Sequence, residues 1–404
     1  MNIAFVADTG YGLISGASRS TQRFCRLLAD KGHTVVILTS RKGRQKKVDR
    51  SEGVMIRRFS GVPLPTFNKD AYFALPFFYP VFYFLKKHRV EVLHVTEPTF
   101  LGFSAIVAAR VLGIPVLVTS HIQSENVAYN TGMNKAWVRW IFNRYLVLFY
   151  SDANMIIFPS DFARRLLFPR GLKIPYKIIS NGVELEAFRP RDARSWRKEQ
   201  GYADTLLIVS VGRLMKEKRM DMIIRAMPEV IKKFPQARLA IIGDGLLKKK
   251  LQLLVRQMKL SKYVHLTGRI SDEDLKMHYS AADLYVSASL VELEGMSILE
   301  AMTSGRPLIV ANSAESAAPS LVRSNGFLFR PDDVSDLAHK IVTLLSNEEL
   351  RHKFSQRSLA LVKKCDIHRS VRDLEKAYEE AVRKNRSMTR ALWNNVQKLV
   401  VGSK

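Results

Sequence analysis

The sequence predicts an α/β chain built from two doubly wound, mostly parallel sheets. Three observations carry that prediction. Strand-like apolar runs alternate with runs of helical period, the pattern of βαβ units. The rhythm starts at the N-terminus and restarts near residue 205. The length of 404 residues suits two ordinary domains, and 47% hydrophobic with 25% charged content is that of a folded chain.

The first elements are NIAFVAD as a strand, TGYGLISGAS as a loop, a helix through STQRFCRLLADKG, and TVVILTS as the next strand. Gly32-His33 ends that helix. Gly10, Gly12 and Gly16 make a glycine-rich first turn. Their spacing is not G-x-G-x-x-G, so two readings stand: close approach to phosphates, or a chain that merely turns. Strands follow at VMIRRF, VEVLHVT and IPVLVTS, with the helix GFSAIVAARVLG between the last two. SDANMIIFPS and KIPYKIISNGV complete the first sheet.

In the second half, TLLIVSVGRL, ARLAIIGDG, YVHLTGRI, ADLYVSAS and RPLIVAN read as strands. DMIIRAMPEVIKKF, LKKKLQLLVRQMKL and SDEDLKMHYSA read as the helices between them. Helical patterns dominate after GFLFRPDDVSDLAHKIVTLLS, to about residue 385. SMTRALWNNVQKLVVG then reads as one more amphipathic helix.

The net charge is +27. Residues 1–190 carry +14 (26 basic, 12 acidic) and the rest +13 (38 basic, 25 acidic). A basic balance spread over both halves points to a polyanionic partner met by a broad face: anionic lipid, nucleic acid or an acidic polymer. Cys25 and Cys365 are the only cysteines and lie far apart. That fits neither a disulfide framework nor a zinc cluster and suggests a reducing cytoplasm. The sequence opens directly on a strand, without a basic leader. No apolar run reaches the 18 residues of a spanning helix.

The segment SLVELEGMSILEAMTSGRPLIV places Glu292 and Glu300 eight residues apart across a strand–loop–helix junction that turns at Gly295. Main-chain N–H groups at a helix start suit phosphate oxygens, because they lack internal partners and face the positive end of the dipole. Two turns on, a carboxylate suits vicinal hydroxyls such as those of ribose. Arg213 and Lys218 stand at the end of the second half's first strand, where open α/β sheets place ligands. Arg offers a planar fork and Lys a point charge; the bland alternative is two solvated cations. His121 follows IPVLVTS, and a lone His there is either structural or functional. Gln123, Glu125 and Asn126 belong either to an acceptor contact or to a structural loop. Asp272-Glu273-Asp274 formally reads as a metal-binding D-x-D. Ser271 before it and a helix after it read instead as an N-cap with acids in the first turn.

Together these motifs resemble glycosyltransferase family 4, retaining enzymes with the GT-B fold of two facing Rossmann-like domains. The resemblance rests on the E-x7-E element, on YGLISGASRSTQRFCRLLADKGHTVVILT, on a Thr-x-His element at His121, on SVGRLMKEKRMD, on IIGDG and on NGV with a following Phe-x-Pro. It runs from about residue 3 to 330. ISG followed by a small residue is similar to members that glycosylate membrane lipids, such as diacylglycerol glucosyltransferases. The resemblance implies that Arg213 and Lys218 grip the donor diphosphate and stabilise the leaving group. It implies that His121 and Glu292 lie by the transferred sugar, that Glu300 holds the ribose, and that Gly295, Met296 and Ser297 give N–H groups to phosphate. It implies further that Gly16 approaches the donor phosphates and that Gly268, Arg269 and Ile270 frame the nucleobase by their backbone. Gln123 and Asn126 are the acceptor-side candidates. Glu294 departs from the family, which commonly has an aromatic residue there. A third carboxylate so placed must point away from the diphosphate or meet a cation.

Three first-half segments bear on a membrane: the basic run RKGRQKKVDR (41–50), the aromatic AYFALPFFYPVFYFLKKHR (71–89) and WVRWIFNRYLVLFY (137–150). Aromatics beside cations suit the headgroup interface, and the latter two segments also read as core helices. The expectation is therefore a metal-independent, retaining hexosyltransferase without a tightly bound cofactor. Its co-substrate is a nucleotide-diphosphate sugar of UDP type. The acceptor is a membrane lipid such as diacylglycerol or a glycolipid, reached from an anionic surface on the cytoplasmic side. A soluble or polysaccharide acceptor is the alternative, and a nucleic-acid-binding protein on the same fold a more distant one. Residues 1–187 are expected to form the acceptor domain and 188–385 the donor domain, with a helix at 386–404 crossing back to the first.

Overall fold

The computed structural model describes residues 1–8, 16–63, 72–74, 78–125 and 136–401, all with side chains except 16–17 and 388–401. The chain divides into two compact units. Met1–Ser124, Lys135–Asn181 and His368–Lys404 form the first; Gly182–Ile367 is the body of the second.

The first unit is a sheet of β1 (Asn2–Val6), β2 (Thr34–Arg41), β3 (Val48–Ser51), β4 (Val54–Pro63), β5 (Tyr72–Ala74), β6 (Val92–Val95), β7 (Val116–Thr119), β8 (Met155–Phe158) and β9 (Tyr176–Ile178). Its order is β3-β4-β2-β1-β6-β7-β8-β9, with β5 on β4. β1 lies between β2 and β6, parallel to both. The strand order therefore reverses between β1 and β6, and the C-terminal edge there is where a doubly wound sheet takes ligands. β6, β7 and β8 are buried along their whole length, which is why they read as short apolar runs with little alternation, interrupted only by His94 in β6 and Thr119 at the end of β7. Around the sheet lie α1 (Gly16–Asp30), α2 (Phe78–Lys87), α3 (Phe100–Val111), α4 (Ala136–Ser151) and α5 (Asp161–Leu167). Thr99 caps α3 and Ser160 caps α5, each accepting a backbone N–H.

Two small strands depart from the sequence reading. The basic run 41–50 ends in β3, which pairs antiparallel with β4; Arg58 meets Asp49 at 3.4 Å across that pair. The aromatic segment 71–89 contains β5 as well as α2.

The second unit holds β10 (Leu206–Val211), β11 (Ala237–Ile242), β12 (Val264–Gly268), β13 (Leu284–Ser287), β14 (Leu308–Ala311) and β15 (Gly326–Phe329). All are parallel, in the order β12-β11-β10-β13-β14-β15. Its helices are α6 (Arg194–Glu199), α7 (Met220–Lys233), α8 (Lys248–Gln257), α9 (Asp272–Ala281), α10 (Met296–Thr303), α11 (Val334–Leu345) and α12 (Glu348–Val362). Period-2 geometry sends successive β10 side chains to opposite faces. Ile208 packs with Ile223, Met227 and Ile341 on one side. Leu207 and Val209 pack with Tyr279 and Leu299 on the other. Each unit is thus a Rossmann-like sheet covered on both faces.

The C-terminal stretch forms a single helix, α13 (Ile367–Val401), which from His368 onward belongs to the first unit. Leu374, Ala377, Tyr378 and Ala381 are buried. Glu375 accepts from Lys31 at 2.6 Å and pairs with His33 at 2.9 Å, while Glu380 pairs with Lys177 at 2.9 Å.

Candidate active site

Most of the expected donor residues gather at the C-terminal edge of the second unit's sheet. β10 ends at Val211, and Arg213 follows it. The chain then makes a tight 3₁₀ turn, Lys216–Lys218. Leu290, just past β13, donates its N–H to the Glu217 carbonyl at 2.8 Å, which ties this turn to the loop bearing Glu292. There Lys218 Nζ donates to Glu292 Oε1 at 2.5 Å, and both side chains are largely buried. Ala317 N–H donates to the Glu292 carbonyl at 2.8 Å and fixes the loop from its other side.

Arg213 is paired differently. Its Nη2 donates to Glu217 Oε1 at 3.2 Å; Glu217 is fully buried, whereas the Arg213 side chain is 45% exposed. One end of the guanidinium is anchored and the rest faces solvent, the posture of a group that meets a phosphate from outside.

The loop after β13 turns at Gly295, whose φ of 100° lies in the left-handed region. A Cβ there would stand 3.2 Å from Ile298 Cδ1, so both backbone and space favour glycine. Gly295 is the N-cap of α10 and contributes no side chain. Met296 and Ser297 open the helix, and first-turn N–H groups have no intrahelical acceptor. Tyr285 Oη donates to Ser297 Oγ at 2.9 Å. Glu300 is buried on the second turn and accepts from Tyr279 Oη at 3.1 Å. Glu294 is buried as well, so the residue at the family's aromatic position is not a solvent-facing charge.

At the end of β12, Gly268 accepts from Gly243 N–H at 2.9 Å. Arg269 is exposed and Ile270 packs partly against the core. Gly243 itself has φ 141°, and a Cβ there would fall 1.9 Å from the Gly212 carbonyl oxygen. The GDG turn is packed backbone to backbone against the segment that leads to Arg213, a structural turn at the end of β11. Ser271 caps α9 by accepting from Asp274 N–H at 3.0 Å, and Glu273 pairs with Arg191 at 2.9 Å. That is the N-cap reading of Asp272-Glu273-Asp274.

The first unit carries other candidates. Gly16 opens α1. His121 lies two residues past β7 and lines a small cavity with His94, Thr96, Thr119 and Asn181; burial pushes its imidazole down to about 4. Gln123, a little further along, is buried; so is Glu125, which groups with the second unit. Asn126 lies outside the described residues.

Several site neighbours were not visible in the sequence. Glu217 had a faint signal, its i+4 spacing from Arg213. Tyr279 and Tyr285 reach Glu300 and Ser297 from other elements. Lys248 stands over the expected base loop, where a Cβ on Gly268 would meet its Nζ at 3.1 Å. The edge thus offers two cations, a helix start and two carboxylates, a set able to hold a diphosphate and a polyol side by side.

Two Rossmann-like units with such an edge define a glycosyltransferase of the GT-B fold. Among solved structures, sucrose-phosphate synthase from Thermosynechococcus elongatus matches with a TM-score of 0.81 and 20% identity, covering 94% of this chain and 98% of that one. HepE of Anabaena, in complex with UDP, matches at 0.76 and 19% identity, over 94% and 100%. At those identities the likeness concerns the fold. In sequence, the α-monoglucosyldiacylglycerol synthase of Streptococcus pneumoniae is 30% identical over 316 residues, 76% of this chain and 70% of that protein. That of Acholeplasma laidlawii is 23% identical over 405 residues, 95% and 98%. The profile described as Glycosyltransferase Family 4 matches residues 14–187, and that of Glycosyl transferases group 1 matches 192–360. The chain belongs to glycosyltransferase family 4.

Proposed function

We propose that the protein is a retaining hexosyltransferase that moves a hexose from a UDP-sugar to a hydroxyl of a membrane lipid, diacylglycerol or a glycolipid. It works without a metal, held peripherally on the inner face of the cytoplasmic membrane. The observation that carries this reading is the strand-end edge of the second unit, where Arg213, the Lys218–Glu292 pair, the start of α10 and Glu300 converge.

In this reading Arg213, Lys218 and the N–H groups of Met296 and Ser297 take the diphosphate. Glu300 takes the ribose, and the backbone of Gly268, Arg269 and Ile270 frames the base. Gly16 approaches the phosphates, and His121 and Glu292 flank the hexose. As the sugar–phosphate bond breaks, charge grows on the diphosphate. Fixed cations already in place stabilise that charge without having to reorganise. The acceptor hydroxyl attacks from the face the diphosphate leaves and passes its proton to the departing diphosphate oxygen, so the anomeric configuration is kept and no enzyme nucleophile is needed. Gln123 and Asn126 are the acceptor-side candidates.

The lipid acceptor is supported by the relatives named for diacylglycerol and by three helices of the first unit. Phe100 and Phe103 on α3, Trp137, Trp140 and Leu148 on α4, and Tyr79 on α2 are all more than half exposed. Tyr145 Oη donates to the Pro98 carbonyl at 2.7 Å, which sets α4 beside the start of α3. Aromatic side chains turned outward in a chain of charge +27 suit an anionic headgroup region. Among the described residues, no helix is long and apolar enough to cross a membrane.

The test is a radiolabel transfer assay with a panel of UDP- and GDP-sugars. One arm contains anionic vesicles with diacylglycerol; the other contains soluble sugars and no vesicles. Label entering the organic phase from a UDP-sugar supports the proposal. Label that reaches only water-soluble product removes the lipid acceptor and leaves the transferase.

A further inference from the structure

One buried polar chain of the first unit has no part in the transfer as proposed. His94 lies in β6 among Val92, Leu93 and Val95, where a polar side chain is costly unless both ring nitrogens are satisfied. Both are. Nδ1 lies 2.6 Å from Tyr378 Oη on α13, and Nε2 lies 2.6 Å from Thr119 Oγ1 at the end of β7. All three side chains are buried. Phe5 packs on the imidazole, ring centroids 4.8 Å apart, and Tyr378 meets it edge-on at 5.7 Å. Thr119 is two residues before His121, and the two imidazoles line the same cavity with Thr96 and Asn181. Ser20 Oγ donates to the Asn181 carbonyl at 3.2 Å and to its Oδ1 at 3.1 Å, so the far wall is fixed too.

We infer that the Tyr378–His94–Thr119 chain positions His121 for glycosyl transfer, so that α13 completes the catalytic half of the first unit and does not merely cover its sheet. His121 sits on the first residues past a strand whose last side chain is locked by a short hydrogen bond. That bond is held in turn by a ring that cannot rotate without losing a second short bond. A neutral imidazole has one donor and one acceptor and each hydroxyl can serve as either, so both nitrogens are satisfied in either tautomer and the two bonds together hold one ring orientation. Tyr378, His94 and Thr119 do not touch substrate in this scheme; they act through the placement of His121. The inference rests on the role proposed for His121.

The experiment compares Thr119→Val, Thr119→Ser, Tyr378→Phe and His121→Ala in the full chain, measuring kcat, donor KM and thermal midpoint. Valine keeps the shape of threonine and removes the oxygen; serine keeps the oxygen. The expected result is a fall in kcat of about tenfold or more in Thr119→Val and Tyr378→Phe, because small misplacements of a catalytic group are costly. Donor KM stays unchanged and Thr119→Ser retains wild-type kcat. If Thr119→Val lowers only the thermal midpoint and keeps wild-type kcat, the chain is structural and the inference is overturned. His121→Ala separates the two levels: wild-type kcat there removes the role of His121 itself, whatever the other variants do. Should Thr119→Val not fold, Tyr378→Phe decides by the same criteria.

Discussion

Lys218 and Glu292 are 74 residues apart in sequence, and their charged atoms meet at 2.5 Å. The pair joins the turn after β10 to the loop after β13 across two neighbouring strands, and each member has a proposed place at the donor. It follows that neither charge acts alone. Lys218→Ala leaves Glu292 without its partner in a poorly solvated place, and Glu292→Gln frees Lys218. Lys218→Ala is expected to lower kcat by about 10²-fold or more, the scale of losing one preorganised electrostatic contact. The Lys218→Ala/Glu292→Gln double variant is expected to fall well short of the product of the two single losses, because residues that share one interaction are not additive. Steady-state kinetics of the three variants measure this, and strict additivity would show that the pair is not functional.

Arg213 has a different dependence. Its partner Glu217 is fully buried, and Glu217 Oε2 has no hydrogen-bond partner. Arg213→Ala should therefore cost both turnover and some stability, on the order of 1–3 kcal/mol for an orphaned buried acceptor, read as a few degrees in Tm. Adding Glu217→Gln restores part of the Tm and none of the turnover. Calorimetry beside a transfer assay checks both. Recovery of turnover by the second substitution would mean that Arg213 serves the fold and not the diphosphate.

The strand–helix rhythm was legible because parallel strands buried on both faces are continuous apolar runs, and the helices between them keep a 3.6-residue period. The E-x7-E junction was legible for a similar reason. Glu292, Gly295 and Glu300 are close in sequence, and a glycine before an apolar helix is a local signal. β3, β5 and β15 were not read, being three or four residues long and lacking clean alternation. α13 was read as two pieces because a helix that runs from Ile367 to Val401 shows no local sign of its continuity. What sequence spacing cannot reach is pairing over long separations. Lys218–Glu292, Tyr279–Glu300 and His94–Tyr378 exist only because elements far apart in the chain are brought together by the fold.

Gly295 offers a test of the helix start that does not touch a charge. Gly295→Ala forces a Cβ into φ 100° and to 3.2 Å from Ile298. Strain of about 1–2 kcal/mol is expected. Relaxing it tilts the first N–H groups of α10 away from their aim. The expected outcome is a rise in donor KM of about tenfold with acceptor KM unchanged. A donor KM equal to that of wild type would exclude the α10 N-terminus from the phosphate site.

The first unit carries an opposed pair of pH dependences. Burial pushes the imidazoles of His94 and His121 down to about 3 and about 4 from an ordinary 6.5. Burial, partly offset by the Ala74 N–H and reinforced by the Glu97 charge, raises the Asp8 carboxyl to about 7 from 3.8. Between pH 4 and 6.5 the unfolded chain binds protons at both histidines that the folded protein does not. The folded protein holds one at Asp8 that the unfolded chain has lost. The unfolded state therefore carries one proton more from these three groups, and their contribution to stability rises with pH by about 1.4 kcal/mol per unit. Above 6.5 the histidines no longer contribute a slope, and Asp8 alone lowers stability as pH rises to 7. Asp8→Asn removes the opposing member. Its stability relative to wild type is expected to improve steadily from pH 4 to pH 7, whatever fixed cost the amide brings, and to level off above that. Chemical denaturation of both proteins across this range measures the difference, and a flat difference would mean that Asp8 is already ionised in the folded protein at pH 4.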